Sequence, residues 1–516
     1  MTQTRTGPIE ISRPLPASLP SGVRTLVVGA GFAGLGTAIK LDEHGFSDFV
    51  VVEKGDTVGG TWRDNTYPGA ACDVPSQLYS FSFAPNPDWS RSFSPQREIQ
   101  AYLERTAEEA GVLDRFRFGV TVLDLAWDED EQVWLVSTDH GDLTADVVIT
   151  GSGGLSEPRL PEIEGIDSFE GEVFHSARWN HDYDLTGKRV AVIGTGASAI
   201  QIVPEIAKQV DHLDLYQRTA PWVMPRRDRD YTRLERLAFR HVPFFQKAYR
   251  TGIYWGRECF VPGFTVNPKL AAPARRLALK NIEEGIPDPE LRKAVTPDFQ
   301  IGCKRILISN DYYPAVNSEH VDLVTAGIAR ITQSGIVTSD GTARDVDAII
   351  VATGFYTTEQ PIAQHIKGRE GRTLADAWSE KGMAAYKGTT IVGFPNLFQI
   401  VGPNTGLGHS SMVFIIESQI AYVLSALQKM GEREIATVEP RPEAQQEWNQ
   451  DLHKRMQRTV WSTGGCASWY LDAHGRNTVL WPRTTFKFRS LLSEFDTEQY
   501  VVTSRHADTE PKERVA

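Results

Sequence analysis

Gly29, Gly31 and Gly34 follow the order and spacing of a dinucleotide cradle, with Ala33 inside the turn and Glu53 further along the chain. In such a cradle the first glycine allows a tight turn and the second lets backbone N–H groups approach a pyrophosphate. The third lets the following helix pack close to its sheet. A terminal acid at Glu53 can accept hydrogen bonds from an adenosine ribose. A second cradle runs Gly194-Thr195-Gly196-Ala197-Ser198-Ala199, where Ala199 replaces the third glycine. The close-packing role tolerates that change. The strand after this second cradle ends in Arg218-Thr219 and not in an acid. An arginine there suits a 2′-phosphate, through charge-assisted hydrogen bonds, and favours NADPH over NADH. Two cradles in one chain predict a hydride path: one site holds FAD, and the other holds the nicotinamide that reduces it.

Each cradle needs a strand before it and a helix after it. Apolar runs at 23–28 and 49–52 flank the first, with a helical pattern to about residue 44. Runs at 188–193 and 213–217 flank the second, with a helix through about residue 210. The patterns also predict helices over 96–110 and 411–427, and a strand pair over 120–127 and 133–137. Two further strands end in small turns, Thr150-Gly151 and Thr353-Gly354, where the chain passes from one domain to the next. The predicted class is α/β: two Rossmann-like dinucleotide-binding domains, the NADP domain inserted in the FAD domain, with a mainly helical cap insertion. The FAD domain is expected over 21–150 and 391–503, and the NADP domain over 151–225 and 330–390. The insertion at 226–329 should line a substrate pocket, and the ends, 1–20 and 504–516, should be flexible.

A chain of 516 residues is too long for one core, and 41% hydrophobic with 23% charged residues is ordinary globular composition. A formal charge of −12 argues against nucleic acid as a partner. Cys72, Cys259, Cys303 and Cys466 are scattered, with no CxxC pair and no metal-ligand spacing. Reduced thiols, a cytoplasmic location and no metal are the expectation. No run approaches the roughly 18 apolar residues of a membrane span. The start, with Pro8, Pro14, Pro16 and Pro20, reads as neither signal peptide nor anchor. Aromatic and basic residues alternate through 226–293; Pro243 interrupts any long amphipathic helix there, which favours a cap over membrane association. Oligomeric state is not legible.

Two longer motifs narrow the chemistry. Phe169-x-Gly171-xxx-His175-xxx-Trp179 resembles the fingerprint of type I Baeyer–Villiger monooxygenases, a family of class B flavoprotein monooxygenases. The segment Gly60-x-Trp62 through Tyr67-Pro68-Gly69 to Asp73 resembles the longer motif of the same family, and the likeness spans about 20–490. Asn180 departs from the proline or aspartate usual after the fingerprint tryptophan. By this resemblance Gly29, Gly31, Ala33, Gly34 and Glu53 hold the adenosine half of FAD. Gly60, Thr61, Trp62, Tyr79, Val122 and Met412 line the flavin, with Asp73 beside its ring. Gly194, Thr195, Gly196, Ala197, Ser198, Ala199, Arg218 and Thr219 hold NADP. Lys304 and Arg305 match the active-site basic pair, and Trp469 sits where a mobile loop closes over the nicotinamide.

The implied reaction takes a ketone and O2 to an ester or lactone through a peroxide at flavin C4a. That peroxide must be anionic to attack a carbonyl, and a permanent cation favours the anion. Arg305 is the expected catalytic cation and Asp73 its orienting carboxylate. A sulfide- or amine-oxygenating enzyme with a protonated peroxide is the first alternative. An NADPH oxidase or reductase without oxygen transfer is the second. His175 and Trp179 are expected to serve a hinge between domains, and the Gly402–His409 loop is expected to meet the flavin's polar edge.

Overall fold

The computed structural model describes residues 18–504, so the expected flexible ends fall almost wholly outside the described residues. The strand Gly22–Val28 is central in an eight-stranded sheet. It pairs in parallel with Phe49–Glu53 on one side and with Gly141–Thr150 on the other. Phe49 to Glu53 are all buried, as a strand covered on both faces requires, which is why this run is continuous and apolar instead of alternating. Gly141–Thr150 is long enough to serve two neighbours along one edge. Its first half pairs antiparallel with Val133–Thr138, and its last residues pair in parallel with Leu397–Gln399. The helix Phe32–Glu43 packs on this sheet together with Met412–Glu432, both carrying long buried faces.

The second sheet is five-stranded and wholly parallel, in the order Val321–Val324, His212–Tyr216, Arg189–Ile193, Ala348–Val351, Glu172–His175. Both sheets carry their glycine turn at the carboxyl end of a central strand, where an open α/β sheet binds ligands. Sheet membership departs from the expected segment limits in two places. Val321–Val324, expected in the helical insertion, is an edge strand of the second sheet, and Ile366–Lys367, expected in the NADP domain, pairs with Val122–Asp128 in the first sheet. Both strands are short and lack the alternation that would mark them in sequence.

The helix Gln96–Glu109 and the strand pair Val122–Asp128 and Val133–Thr138 lie within a residue or two of their expected limits. The helix after the second cradle, Ala199–Ile206, stops before residue 210. Pro204 within it removes an N–H donor from the helical ladder. The segment between 59 and 73 reads as a loop but contains one helical turn, Thr61–Asp64, too short to leave a periodicity. The insertion is mainly helical, led by Arg233–His241, Pro243–Glu258 and Ala272–Gly285. Its first helix opens on a capping box, the Thr232 hydroxyl accepting from the Glu235 N–H while Glu235 accepts from the Thr232 N–H. Among the described residues no helix is long and apolar enough to cross a membrane.

Candidate active site

The first cradle is built against the turn at Gly151. Gly29 has φ +99°, and a Cβ there would lie 2.8 Å from the Gly151 carbonyl oxygen. A Cβ on Gly34 would overlap the carbonyl oxygen of Gly29, so this third glycine is required for helix and turn to coexist. The second cradle repeats the arrangement: Gly194 has φ +117°, and a Cβ there would lie 2.5 Å from the Ala352 carbonyl oxygen. The middle glycines differ in kind. A Cβ on Gly196 would meet nothing within 4 Å, and one on Gly31 would only touch the Gly60 and Gly59 backbone at 3.7 and 4.0 Å. Both middle glycines therefore leave the backbone open to close approach, as a pyrophosphate requires, and in this both cradles fit a dinucleotide. Glu53 is buried and held ready: its carboxylate accepts from the Ala30 N–H at 2.7 Å and the Gly55 N–H at 2.8 Å, and pairs with Arg63 at 2.9 Å.

The 59–73 segment lies between the two cradles and touches both. The Gly59 N–H donates to the Ala30 carbonyl at 2.9 Å, and Gly60 faces Gly31. At the other end a sequence separation of 130 residues is closed by Gln201 of the second fold. Its amide donates to the Ala71 carbonyl at 3.0 Å, and its carbonyl accepts from the Tyr67 hydroxyl at 3.1 Å. Gly69, with φ +79°, allows the approach, since a Cβ there would lie 2.6 Å from the Gln201 carbonyl oxygen. Trp62 and Tyr79 meet edge to face at 5.5 Å, the indole N–H donating to the Tyr79 hydroxyl at 3.1 Å. Both pack on the same core as Phe32, Phe81 and the partly buried Met412. Thr61 is exposed on the turn beside them. Val122 is set apart: it packs with Val28, Val50, Val52 and Val120 in a different core.

Asp73, at the end of this segment, meets Arg305. The Arg305 Nε–H donates to Oδ2 at 2.8 Å, and Nη2 donates to Oδ1 at 2.7 Å. Burial alone would raise the Asp73 pKa, but the Arg305 charge and hydrogen bonds outweigh it and hold the carboxyl below its usual range. Arg305 is raised in turn, chiefly by Asp73. Its remaining nitrogen, Nη1, has only a long 3.4 Å contact with the Leu407 carbonyl, in the loop expected at the flavin's polar edge. Two further arginines feel the same carboxylate: Arg257 from the cap and Arg226, both lowered by burial and partly restored by Asp73. Lys304 turns the other way. Its pKa is lowered by burial and then by Arg218, so these two cations share one neighbourhood on the second cradle's side. Arg218 is exposed at the end of its strand, and the Thr195 hydroxyl donates to the Thr219 carbonyl at 3.0 Å, tying turn to strand end.

Three features escaped the sequence reading. Tyr470 is buried with its hydroxyl beside Arg305; burial pushes the phenol up to about 12, with Arg305 opposing. Cys303 and Cys466 form a disulfide, which corrects the expectation of four reduced thiols; only Cys72 and Cys259 are free. The pair is separated by 163 residues, and no spacing rule connects them. Third, Glu258 at the end of the cap helix accepts from Thr485 (N–H at 3.0 Å, hydroxyl at 2.7 Å) and lies 3.1 Å from His409 Nε2, a buried link between the cap and the 402–409 loop. Trp469 is 45% exposed, its carbonyl accepting from the Thr357 hydroxyl at 3.1 Å. His175 is buried, its Nδ1 accepting from the Ala177 N–H at 3.1 Å and its ring edge-on to Phe355 at 5.7 Å. Burial drives its pKa down to about 4, so it is neutral near pH 7 and stands at the crossing between sheets, not at Arg305. Asn180, the departure in the motif, donates to Glu172 Oε1 at 2.8 Å and so anchors the segment after Trp179 to the strand before it.

Comparison with known proteins finds similar chains along nearly the whole length. Residues 26–238 match the family model of pyridine nucleotide-disulphide oxidoreductases. A Baeyer–Villiger monooxygenase of Streptomyces coelicolor is 52% identical over 484 residues, covering 93% of this chain and 92% of its own length. One from Pseudomonas aeruginosa is 50% identical, covering 96% of this chain and 94% of its own. The crystal structure of OTEMO in complex with FAD and NADP superposes with a TM-score of 0.84 at 28% identity, covering 95% of this chain and all of that one.

Proposed function

This chain belongs to the Baeyer–Villiger monooxygenase family, and from that premise we propose that it converts a small-molecule ketone to an ester or lactone at the Arg305–Asp73 pair. It is an NADPH-dependent flavoprotein monooxygenase that uses FAD and O2. When bound, the two cofactors supply hydride and activate O2; one oxygen atom enters the product and the other leaves as water. What the chain itself supplies is position and charge.

In this reading Gly29, Gly31, Gly34 and Glu53 hold the adenosine half of FAD. Gly60, Thr61, Trp62, Tyr79 and Met412 border the flavin. The 194–199 turn takes the second pyrophosphate, and the neighbouring cations Arg218 and Lys304 take the 2′-phosphate. Arg305 stays charged at any working pH. Asp73 occupies its Nε and Nη2 faces, so the Nη1 edge is the one left to stabilise negative charge developing on the carbonyl oxygen of the substrate. The helical cap closes the ketone side, pinned by Arg250, whose guanidinium donates to the Gln77 carbonyl at 2.8 Å and the Ser80 carbonyl at 2.9 Å. A cytoplasmic location belongs to the same reading, because NADPH is supplied there.

The supporting observation is the bidentate Arg305–Asp73 pair with one guanidinium edge to spare. Arg305→Ala should lower ester formation by about 10²–10³-fold, the range for loss of one preorganised oxyanion donor. NADPH should still be consumed, with hydrogen peroxide as the product. A ketone and sulfide panel, with product mass and NADPH both measured, reads this out. An Arg305→Ala enzyme that makes ester within a few-fold of the parent would overturn the assignment.

A further inference from the structure

We propose that the Cys303–Cys466 disulfide is a positioning clasp that keeps the Arg305 segment and the Trp469–Tyr470 segment in register on the nicotinamide side, and that a dithiol opens it. The proposal rests on the reading in which Arg218 and Lys304 hold NADPH and on the resemblance that puts Trp469 where a loop closes over the nicotinamide. Cys303 lies two residues before Arg305, and Cys466 three residues before Trp469. The bond is one of several crossings between the same two segments, which also share a buried core. The Gln300 N–H donates to the Gly464 carbonyl at 3.0 Å, and the Tyr470 hydroxyl stands beside Arg305. Gly464 packs flat on the bridge, since a Cβ there would lie 2.7 Å from Cys303 Cβ and 2.9 Å from its sulfur.

Between the crossings the second segment is loosely held. Gly465, Ala467 and Trp469 are exposed, and Gly465 sits at φ +77°, so the Gly464-Gly465 pair permits motion. On its far side the segment is tied to the turn after Gly354 by the Thr357–Trp469 hydrogen bond. Cutting the disulfide removes the covalent tie and leaves a backbone hydrogen bond, the phenol contact and the shared packing of Phe299 and Ile301 with Val460 and Tyr470 to hold this segment against Arg305. The two sulfurs differ in access: Cys303 is fully buried and Cys466 is partly exposed. A thiolate of the dithiol attacks the Cys466 sulfur and displaces Cys303. The second thiolate then attacks the mixed disulfide and releases Cys466. Two electrons and two protons pass to the protein as two thiols, and the reductant leaves as its own disulfide.

The test uses holoenzyme, treated with dithiothreitol and desalted, beside untreated enzyme and a Cys259→Ser control. Thiol titration after denaturation should count two thiols before treatment and four after, since the chain has four cysteines of which two are bridged. Reduction should raise the KM for NADPH several-fold in anaerobic flavin bleaching, which needs no ketone. Hydrogen peroxide released per NADPH should rise, while FAD content and kcat at saturating NADPH change less. Reoxidation should restore the parent values, and Cys259→Ser should behave as the parent. A Cys466→Ser variant, altering the partly exposed partner, should resemble the reduced enzyme. Four thiols in untreated enzyme, or an unchanged KM and unchanged peroxide release after reduction, would overturn the clasp. Flavin that NADPH bleaches in neither state would overturn the cofactor assignment itself.

Discussion

Replacing Asp73 by asparagine isolates what the carboxylate does from what the arginine does. The side chain keeps its shape and one acceptor oxygen but loses its charge and one of two acceptors for Arg305. Arg305 stays protonated, because a guanidinium does not titrate in water's working range. Its position, however, depends on Asp73, which also balances Arg257 and adds a smaller share to Asp228's effect on Arg226. Without that anion Arg305 and Arg257 face one another, while Arg226 keeps Asp228 at 3.7 Å, and Arg305 has reason to swing away. Breaking a fully buried pair by removing one member costs about 3–5 kcal/mol. Asp73 and Arg305 keep 25% and 27% of their side-chain surface exposed, and that screening reduces the expected loss to about 2 kcal/mol. The catalytic loss should be larger, about 10²-fold, because an ångström of misplacement at the reacting atoms has that effect. The assay is ester formed per NADPH consumed, with hydrogen peroxide measured in parallel. Asp73→Asn should consume NADPH yet release mostly peroxide, and Arg305→Ala combined with it should add little, since the two act as one unit. Ester yield and coupling like the parent's would refute the idea that Asp73 positions the cation.

Arg218→Ala should raise the KM for NADPH by about 10–100-fold and leave that for NADH nearly unchanged, measured as flavin reduction under anaerobic conditions. An equal loss for both nucleotides would refute the 2′-phosphate role. His175 predicts a pH dependence of stability. Its folded pKa, about 4, lies below the ordinary 6.5, so the unfolded chain binds the extra proton first; stability is fully present above about 6.5 and declines as pH falls toward 4. The decline attributable to this group is about 3 kcal/mol at most. His175→Gln should flatten that part of a denaturation-versus-pH profile, and should leave the pH profile of ester formation between 6.5 and 8 unmoved if His175 is no base.

The local half of this architecture was legible in the sequence, because each cradle is written in a stretch of about thirty residues. Gly29 and Gly194 need their left-handed backbone whatever the rest of the chain does, and a buried strand such as Phe49–Glu53 announces itself by apolar residues alone. What stayed hidden are meetings between residues far apart. Gln201 reaches Ala71 and Tyr67 across the interval between the folds, and nothing in the amide's neighbours marks it as a link. Cys303 and Cys466 read as scattered thiols because pairing depends on where two loops end, not on any spacing between them. Val122, given its flavin role by resemblance alone, lies on a strand that packs into a different core from that of Trp62 and Tyr79.

The position of Arg305 follows from that same division. A cation strong enough to favour an anion at the flavin would be costly to bury alone, and burial without a partner would push its charge out. Here its partner comes from the 59–73 segment, its spare edge faces the 402–409 loop, and its back rests on Tyr470. Each neighbour belongs to a different stretch of chain, so the charge is stable only where all of them converge. That convergence depends on the two dinucleotide folds being stitched together by Gln201 and on the cap being held by Glu258 and Arg250. It follows that changes at Gln201, far from any reacting atom, should act on coupling before they act on FAD content. Gln201→Ala removes contacts to the 59–73 segment alone and leaves both cradles whole. Peroxide release that rises while bound FAD stays constant would bear this out; FAD lost in step with coupling would show that the segment supports the flavin and not the charge.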